Sequence, residues 1–244
     1  MRVSVVIPVL NEENNISPLI KEIRTVLEGK YVYEIIYVDD HSSDRTMEIL
    51  SQQSTLYPEL RVIRLSRQCG QSAALLAGVN SAIYPFVVTM DGDGQNDPAD
   101  IARIIDYFLE YTPVAKNLLI VGHRQQRRDS GWKLFTSRIA NRVRGILLHD
   151  GVPDSGCGIK AFNRDFFLRL PTFNHMHRFM PALFKQNGGE VVSLEVNHRN
   201  RSYGSSHYGT LDRLWAGIYD LIGVSWLGRR AILPEIEKEI NNNG

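Results

Sequence analysis

The chain has 244 residues, 43% of them hydrophobic and 23% charged, which suits one large α/β domain and leaves too little for a second full one. A formal net charge of +1 gives no ground for a nucleic-acid partner. No apolar run approaches the roughly 18 residues of a membrane span, and the opening MRVSVVIPVL enters a strand pattern with no signal-peptide layout.

Residues 3–9 are an apolar, β-branched run expected to form a buried strand, with Asn11 as N-cap of a helix over about 12–27. A second strand at 33–38 stops at Asp39-Asp40, and Ser42-Ser43-Asp44 opens a helix through about residue 53. A strand at 61–65, a helix at 71–81 and a strand at 86–90 follow, the last ending at Asp91. Asp97-Pro98 has the pattern of an N-cap with proline at the first helical position, leading into 101–111, and 118–122 is a fifth strand. Strands alternating with helices imply a mostly parallel α/β sheet with helices on both faces, binding ligands outside the carboxyl ends of its strands. Asn11-Glu12, Asp39-Asp40, Asp91 to Gln95 and Gly122 to Arg124 all fall at such ends, so one crevice collects them.

Beyond Gly122 the alternation fails. Stretches 132–148 and 211–226 have apolar residues at helical spacing and are expected to be amphipathic helices. Between them lie a Gly156-Cys157-Gly158 loop, a strand at 191–196 and a basic stretch at 198–208. From 123 to 148, Arg124, Arg127, Arg128, Lys133, Arg138, Arg142 and Arg144 face Asp129 alone, which marks a place for an anionic partner. Cys69 and Cys157 have neither CxxC nor metal-ligand spacing, and two reduced cysteines fit a cytosolic setting.

Asp91-Gly92-Asp93-Gly94-Gln95 puts two carboxylates and an amide oxygen within five residues, with glycines that let the backbone turn around what they hold. Hard cations such as Mg²⁺ or Mn²⁺ take such oxygens and keep waters or substrate phosphates as their other ligands. An ordinary Asp/Gly turn is the competing reading, and an EF-hand is excluded because Ala102 stands where its bidentate glutamate belongs.

Several segments together resemble the GT-A fold family 2 glycosyltransferases, and among them the dolichyl-phosphate mannosyltransferase-like group that acts on polyprenyl phosphates. They are Val5 to Glu13, Val38 to Asp44, Gly70-Gln71, Asp91 to Pro98 and Gly122-His123-Arg124. The resemblance covers residues 1–230 as one GT-A domain: a nucleotide-sugar half at 1–122, an acceptor and membrane-interface half at 123–230, and a tail at 231–244. It implies that Pro8, Leu10, Glu12, Val38 and Asp40 line the nucleoside pocket, and that Asp91, Gly92, Asp93 and Gln95 hold metal and diphosphate. Arg124, Lys133 and Ser137 would take the acceptor phosphate, with Lys133 where the group more often has arginine. Arg201, in a segment like the group's Arg-x-x-Gly-x-Ser-Lys-Tyr but with His207 in place of lysine, would bind the donor diphosphate. Asp93, Arg124 and Arg201 are the expected catalytic set.

The expected reaction is transfer of a sugar, with inversion, from a nucleoside diphosphate to an undecaprenyl or dolichyl phosphate. The cofactor is Mg²⁺ or Mn²⁺, and the place is the cytoplasmic, inner face of the membrane. An integral-membrane partner and a homo-oligomer formed through the second half both fit this reading. The rivals are a transferase of the same fold acting on a sugar hydroxyl and a non-catalytic membrane-associated subunit. The former usually carries an acid pair where His175-Met176-His177-Arg178 stands here. A dinucleotide oxidoreductase would need GxGxxG after the first strand, where Pro8 to Glu12 stand instead.

Overall fold

The computed structural model describes residues 1–111, 117–124, 144, 145, 147, 148, 150–200, 210–230 and 232, with backbone alone for 210–216. Its strands are β1 (Arg2–Val9), β2 (Val32–Asp39), β3 (Leu60–Arg64), β4 (Phe86–Thr89), β5 (Leu118–Arg124), β6 (Lys160–Asn163) and β7 (Glu190–Val196). Its helices are α1 (Ile16–Leu27), α2 (Thr46–Leu56), α3 (Gln71–Ser81), α4 (Ala99–Tyr111), α5 (Arg164–Phe167), α6 (Met180–Gln186) and α7 (Thr210–Arg230), with a 3₁₀ turn at Met176–Arg178.

The strands form one sheet in the order β3-β2-β1-β4-β6-β5-β7. β6 alone runs antiparallel, wedged between β4 and β5, and β7 lies parallel beyond β5. Alternation along β1 splits the core in two: Val3, Val5 and Ile7 pack with Ile20 of α1, Leu50 of α2 and Ile104 of α4, while Val6 packs with Leu75 of α3 and Leu183 of α6. Helices therefore cover both faces, as the sequence pattern predicts. At these interiors close packing leaves no spare room: a Cβ on Gly78 of α3 would run into Val6 and sit 3.0 Å from Val38.

Three expectations are corrected. α1 starts at Ile16, four residues late, because residue 11 turns through φ +55° and its side chain accepts the Ser43 amide 2.8 Å away instead of capping the helix. α2 starts at Thr46 for a like reason, since Asp44 accepts the Thr46 amide at 2.9 Å. The structure also adds β6, α5 and α6, which the sequence pattern did not announce. The Asp97 cap holds, with its carboxylate accepting the Ala99 amide at 3.0 Å. Most of the 132–148 stretch lies outside the described residues.

A candidate active site at the strand ends

Six segments meet where β1, β2, β4 and β5 end. At β2, Asp39 is fully buried; it accepts the Ser42 amide at 3.0 Å and faces Arg64 at 3.4 Å. Asp40, also buried, accepts the backbone amides of Cys69 and Gly70 at 2.7 and 2.8 Å, one on each oxygen. It therefore fixes the entry to α3, where Gly70 adopts φ +90°. Val38, expected in the nucleoside pocket, is wholly buried beneath α3, so only its backbone can reach a ligand. Pro8, Leu10 and Glu12 stay half-buried at the end of β1, with Glu12 accepting from Asn15 at 2.7 Å.

The carboxylates after β4 are placed differently. Asp91 receives the side-chain amide of Gln71 at 2.9 Å, while its backbone N–H is held by Asn96 at 3.0 Å. Asp93 turns the loop by accepting the Gln95 amide at 3.1 Å, and Gly94 supplies φ +75°. Gly92 lies against Pro8 and Val9, where a Cβ would collide with Val9. Gly158 faces Asp91 so closely that any side chain there would occupy the carboxylate's own space. Burial and then the like charge of Asp93 push Asp91 up to about 6, against the opposing pull of Lys160 and Arg124.

The wall under this pair comes from the second half. Thr89 donates to the Gly158 carbonyl at 2.9 Å, and Lys160, the first residue of β6, donates to the Cys157 carbonyl. Lys160 is a buried cation, its pKa lowered by burial, and sequence reasoning missed it because a lone lysine beside a glycine loop has no signature. Arg124 grips Asp154 with two contacts, 2.7 and 2.9 Å. Its charge acts on the Asp91 site while its fork anchors the 154–158 loop. Arg144, counted with the basic surface from sequence, is instead buried and paired with Asp150 at 2.8 Å. Burial also raises the pKa of the Cys157 thiol, which favours its neutral, unreactive form.

Two features lay outside the sequence reading. The Asn96 backbone bridges to His198, and the Arg199 amide donates to the Gln95 carbonyl at 2.9 Å, so the 198–199 segment borders the acidic loop. The Ser72 hydroxyl meets the Nδ1 atom of His177 at 2.7 Å, joining α3 to the 3₁₀ turn. Thus Asp91, Asp93, Gln95 and Arg124 come together with Lys160 and the end of β1. Lys133, Ser137, Arg201 and His207 lie outside the described residues.

Two carboxylates and an amide oxygen, cradled between glycine backbones, suit a hard divalent cation that takes its remaining ligands from a diphosphate and water. Among the described residues no group of three or more His, Cys, Asp or Glu is placed to hold a metal by itself.

Comparison with known proteins identifies the family. The model of the glycosyl transferase family 2 matches residues 4–170. Dodecaprenyl-phosphate galacturonate synthase of Rhizobium johnstonii is 32% identical over 96% of this chain and 69% of its own length. Undecaprenyl-phosphate 4-deoxy-4-formamido-L-arabinose transferase of Pectobacterium carotovorum is 33% identical over 90% of this chain and 66% of its own. The chain thus spans about two thirds of these relatives. A solved structure of Mycobacterium tuberculosis glucosyl-3-phosphoglycerate synthase, with Mn²⁺, UDP-glucose and glycerol 3-phosphate, superimposes with a TM-score of 0.67 at 23% identity. It covers 96% of this chain and 81% of that one, and so shares the fold. With the family model matching more than half its length, the chain belongs to glycosyl transferase family 2.

Proposed function

We propose that this protein transfers a sugar, with inversion, from a nucleoside diphosphate to the phosphate of a polyprenyl lipid at a membrane surface. The observation that carries it is the Asp91/Asp93 pair at the end of β4, held open by Gly92 and Gly158 and flanked by Lys160 and Arg124. The names of the two relatives, both polyprenyl-phosphate enzymes, support the acceptor class.

Asp91, Asp93 and Gln95 would hold Mg²⁺ or Mn²⁺, which when bound neutralises charge on the diphosphate leaving group. Pro8, Leu10 and Glu12 take the nucleoside at the end of β1, and Gln71 fixes the orientation of Asp91. Lys160, buried behind the 157–158 backbone, contributes a fixed positive potential as negative charge leaves. Arg201, Lys133 and Ser137 keep their expected roles with the donor diphosphate and acceptor phosphate. The lipid phosphate is ionised at neutral pH and needs positioning more than deprotonation.

Membrane attachment is supported by α7. Leu221 and Val224 pack on the core, while Ile218, Tyr219, Ile222 and Trp226 are exposed beside the terminal Arg229-Arg230 pair. Among the described residues no helix is long and apolar enough to cross a membrane. An apolar stripe closed by cations suits a helix lying in the headgroup layer of the inner membrane face.

The test incubates purified protein, Mn²⁺ and undecaprenyl phosphate with a panel of nucleotide sugars and follows lipid-phosphate-sugar by mass spectrometry. Product from one donor, abolished by chelation, is expected. Metal-dependent nucleotide binding with no product from any donor overturns the acceptor assignment.

A further inference from the structure

The 3₁₀ turn beside α3 carries a histidine whose surroundings fix its protonation. Ser72 is buried in the first turn of α3, next to Gln71, which reaches Asp91. The backbone amide of His177 donates to the Ser72 hydroxyl oxygen at 3.3 Å, and that hydroxyl lies 2.7 Å from Nδ1 of the same histidine. A buried hydroxyl proton requires an acceptor. Among the described residues Nδ1 is the one within reach, so Ser72 donates to it and Nδ1 is the unprotonated nitrogen. A neutral ring then carries its proton on Nε2.

The ring does stay neutral. Burial first, then the charges of Lys160, Arg178 and His175, push His177 down to about 3. His177 is half-buried; its Nε2 is not sealed from solvent and makes no hydrogen bond among the described residues. Beside α3, at the residue following the Gln71 that reaches Asp91, Ser72 thus holds an N–H donor in positive potential from Lys160 and Arg178.

We infer that the Nε2–H of His177 donates to an oxygen of the acceptor's phosphate, with Ser72 as the positioning residue that sets its tautomer. A fixed neutral donor in a positive field suits an anionic oxygen, and it cannot serve as a base because its open nitrogen already bears the proton. This rests on the proposed phosphate acceptor and adds a group that binds it.

The experiment labels the histidines with ¹⁵N and assigns His177 by its disappearance in His177→Gln. Two-bond ¹H–¹⁵N correlations should show the Nε2–H tautomer from pH 5 to 8, and Ser72→Ala should lose that preference. Undecaprenyl phosphate in detergent micelles should shift the Nε2 signal, with detergent alone or UDP leaving it in place. In turnover, His177→Ala should raise KM for undecaprenyl phosphate roughly tenfold with KM for the nucleotide sugar unchanged, and His177→Gln, which keeps an N–H donor, should recover most of it. An Nδ1–H tautomer, or a shift caused by UDP and not by lipid phosphate, overturns the inference. A lipid-induced shift without sugar transfer from any donor would sustain this site while removing the proposed reaction.

Discussion

Strands β2 and β4 both deliver two aspartates to the same crevice, and their carboxylates meet different partners. After β2, Asp39 and Asp40 turn inward onto three backbone amides and Arg64. After β4, Asp91 and Asp93 accept one side-chain amide and one amide of their own turn, and they face each other across a glycine. Backbone amides satisfy a carboxylate and so make it architecture. Carboxylates held together with few donors repel, and that repulsion is what a cation relieves. Being acidic and at a strand end is common to both pairs; the two amides clamped on Asp40 and the Arg64 cation beside Asp39 separate them.

The sharpest way to break this comparison is Asp93→Ala, for which transfer should fall about 10²–10³-fold while the urea midpoint stays in place. Lipid-linked product measured beside a denaturation curve checks both halves of that statement. Asp40→Ala should do the reverse. Leaving the Cys69 and Gly70 amides without an acceptor should cost about 2–4 kcal/mol of folding stability by urea unfolding. An Asp40→Ala protein that unfolds like wild type but no longer binds nucleotide would instead give that residue a direct role in the nucleoside pocket. The smallest effect sharpens the metal side. With Asp91 raised to about 6, protons compete with the cation as pH falls, so apparent Mn²⁺ affinity in the presence of UDP should weaken about tenfold from pH 7 to pH 5 and stay level above pH 7. Free Mn²⁺ counted by electron paramagnetic resonance gives the curve.

The first half of the fold was legible because its strands are continuous apolar runs that end in turn residues, and the Asp97-Pro98 cap held for the same local reason. The second half was less so. β6 is four residues, Lys160–Asn163, whose first member is a lysine; nothing in its periodicity marks a central strand, and its burial depends on β4 and β5 lying on either side. Within the site, spacing located the acidic loop but could not say which carboxylates would be consumed internally. Arg124 was expected to meet a phosphate, and the grip of Asp154 upon it is a contact across 30 residues that no local pattern encodes. Likewise Val38 sits beside the right residues in sequence yet faces the core, a matter of strand parity relative to α3.

The antiparallel insertion of β6 also dictates an order of assembly. β4 and β5 are consecutive strands that never pair with each other; each waits for residues 160–163. Until that segment emerges from the ribosome, both strands present unpaired edges, and the Asp91 carboxylate lacks the Gly158 wall against which it rests. Such long-range closure raises contact order and slows folding. The β1–β2–β3 pairing is complete by Arg64, whereas the backbone wall beside the Asp91 carboxylate is added only by residues well past the middle of the chain.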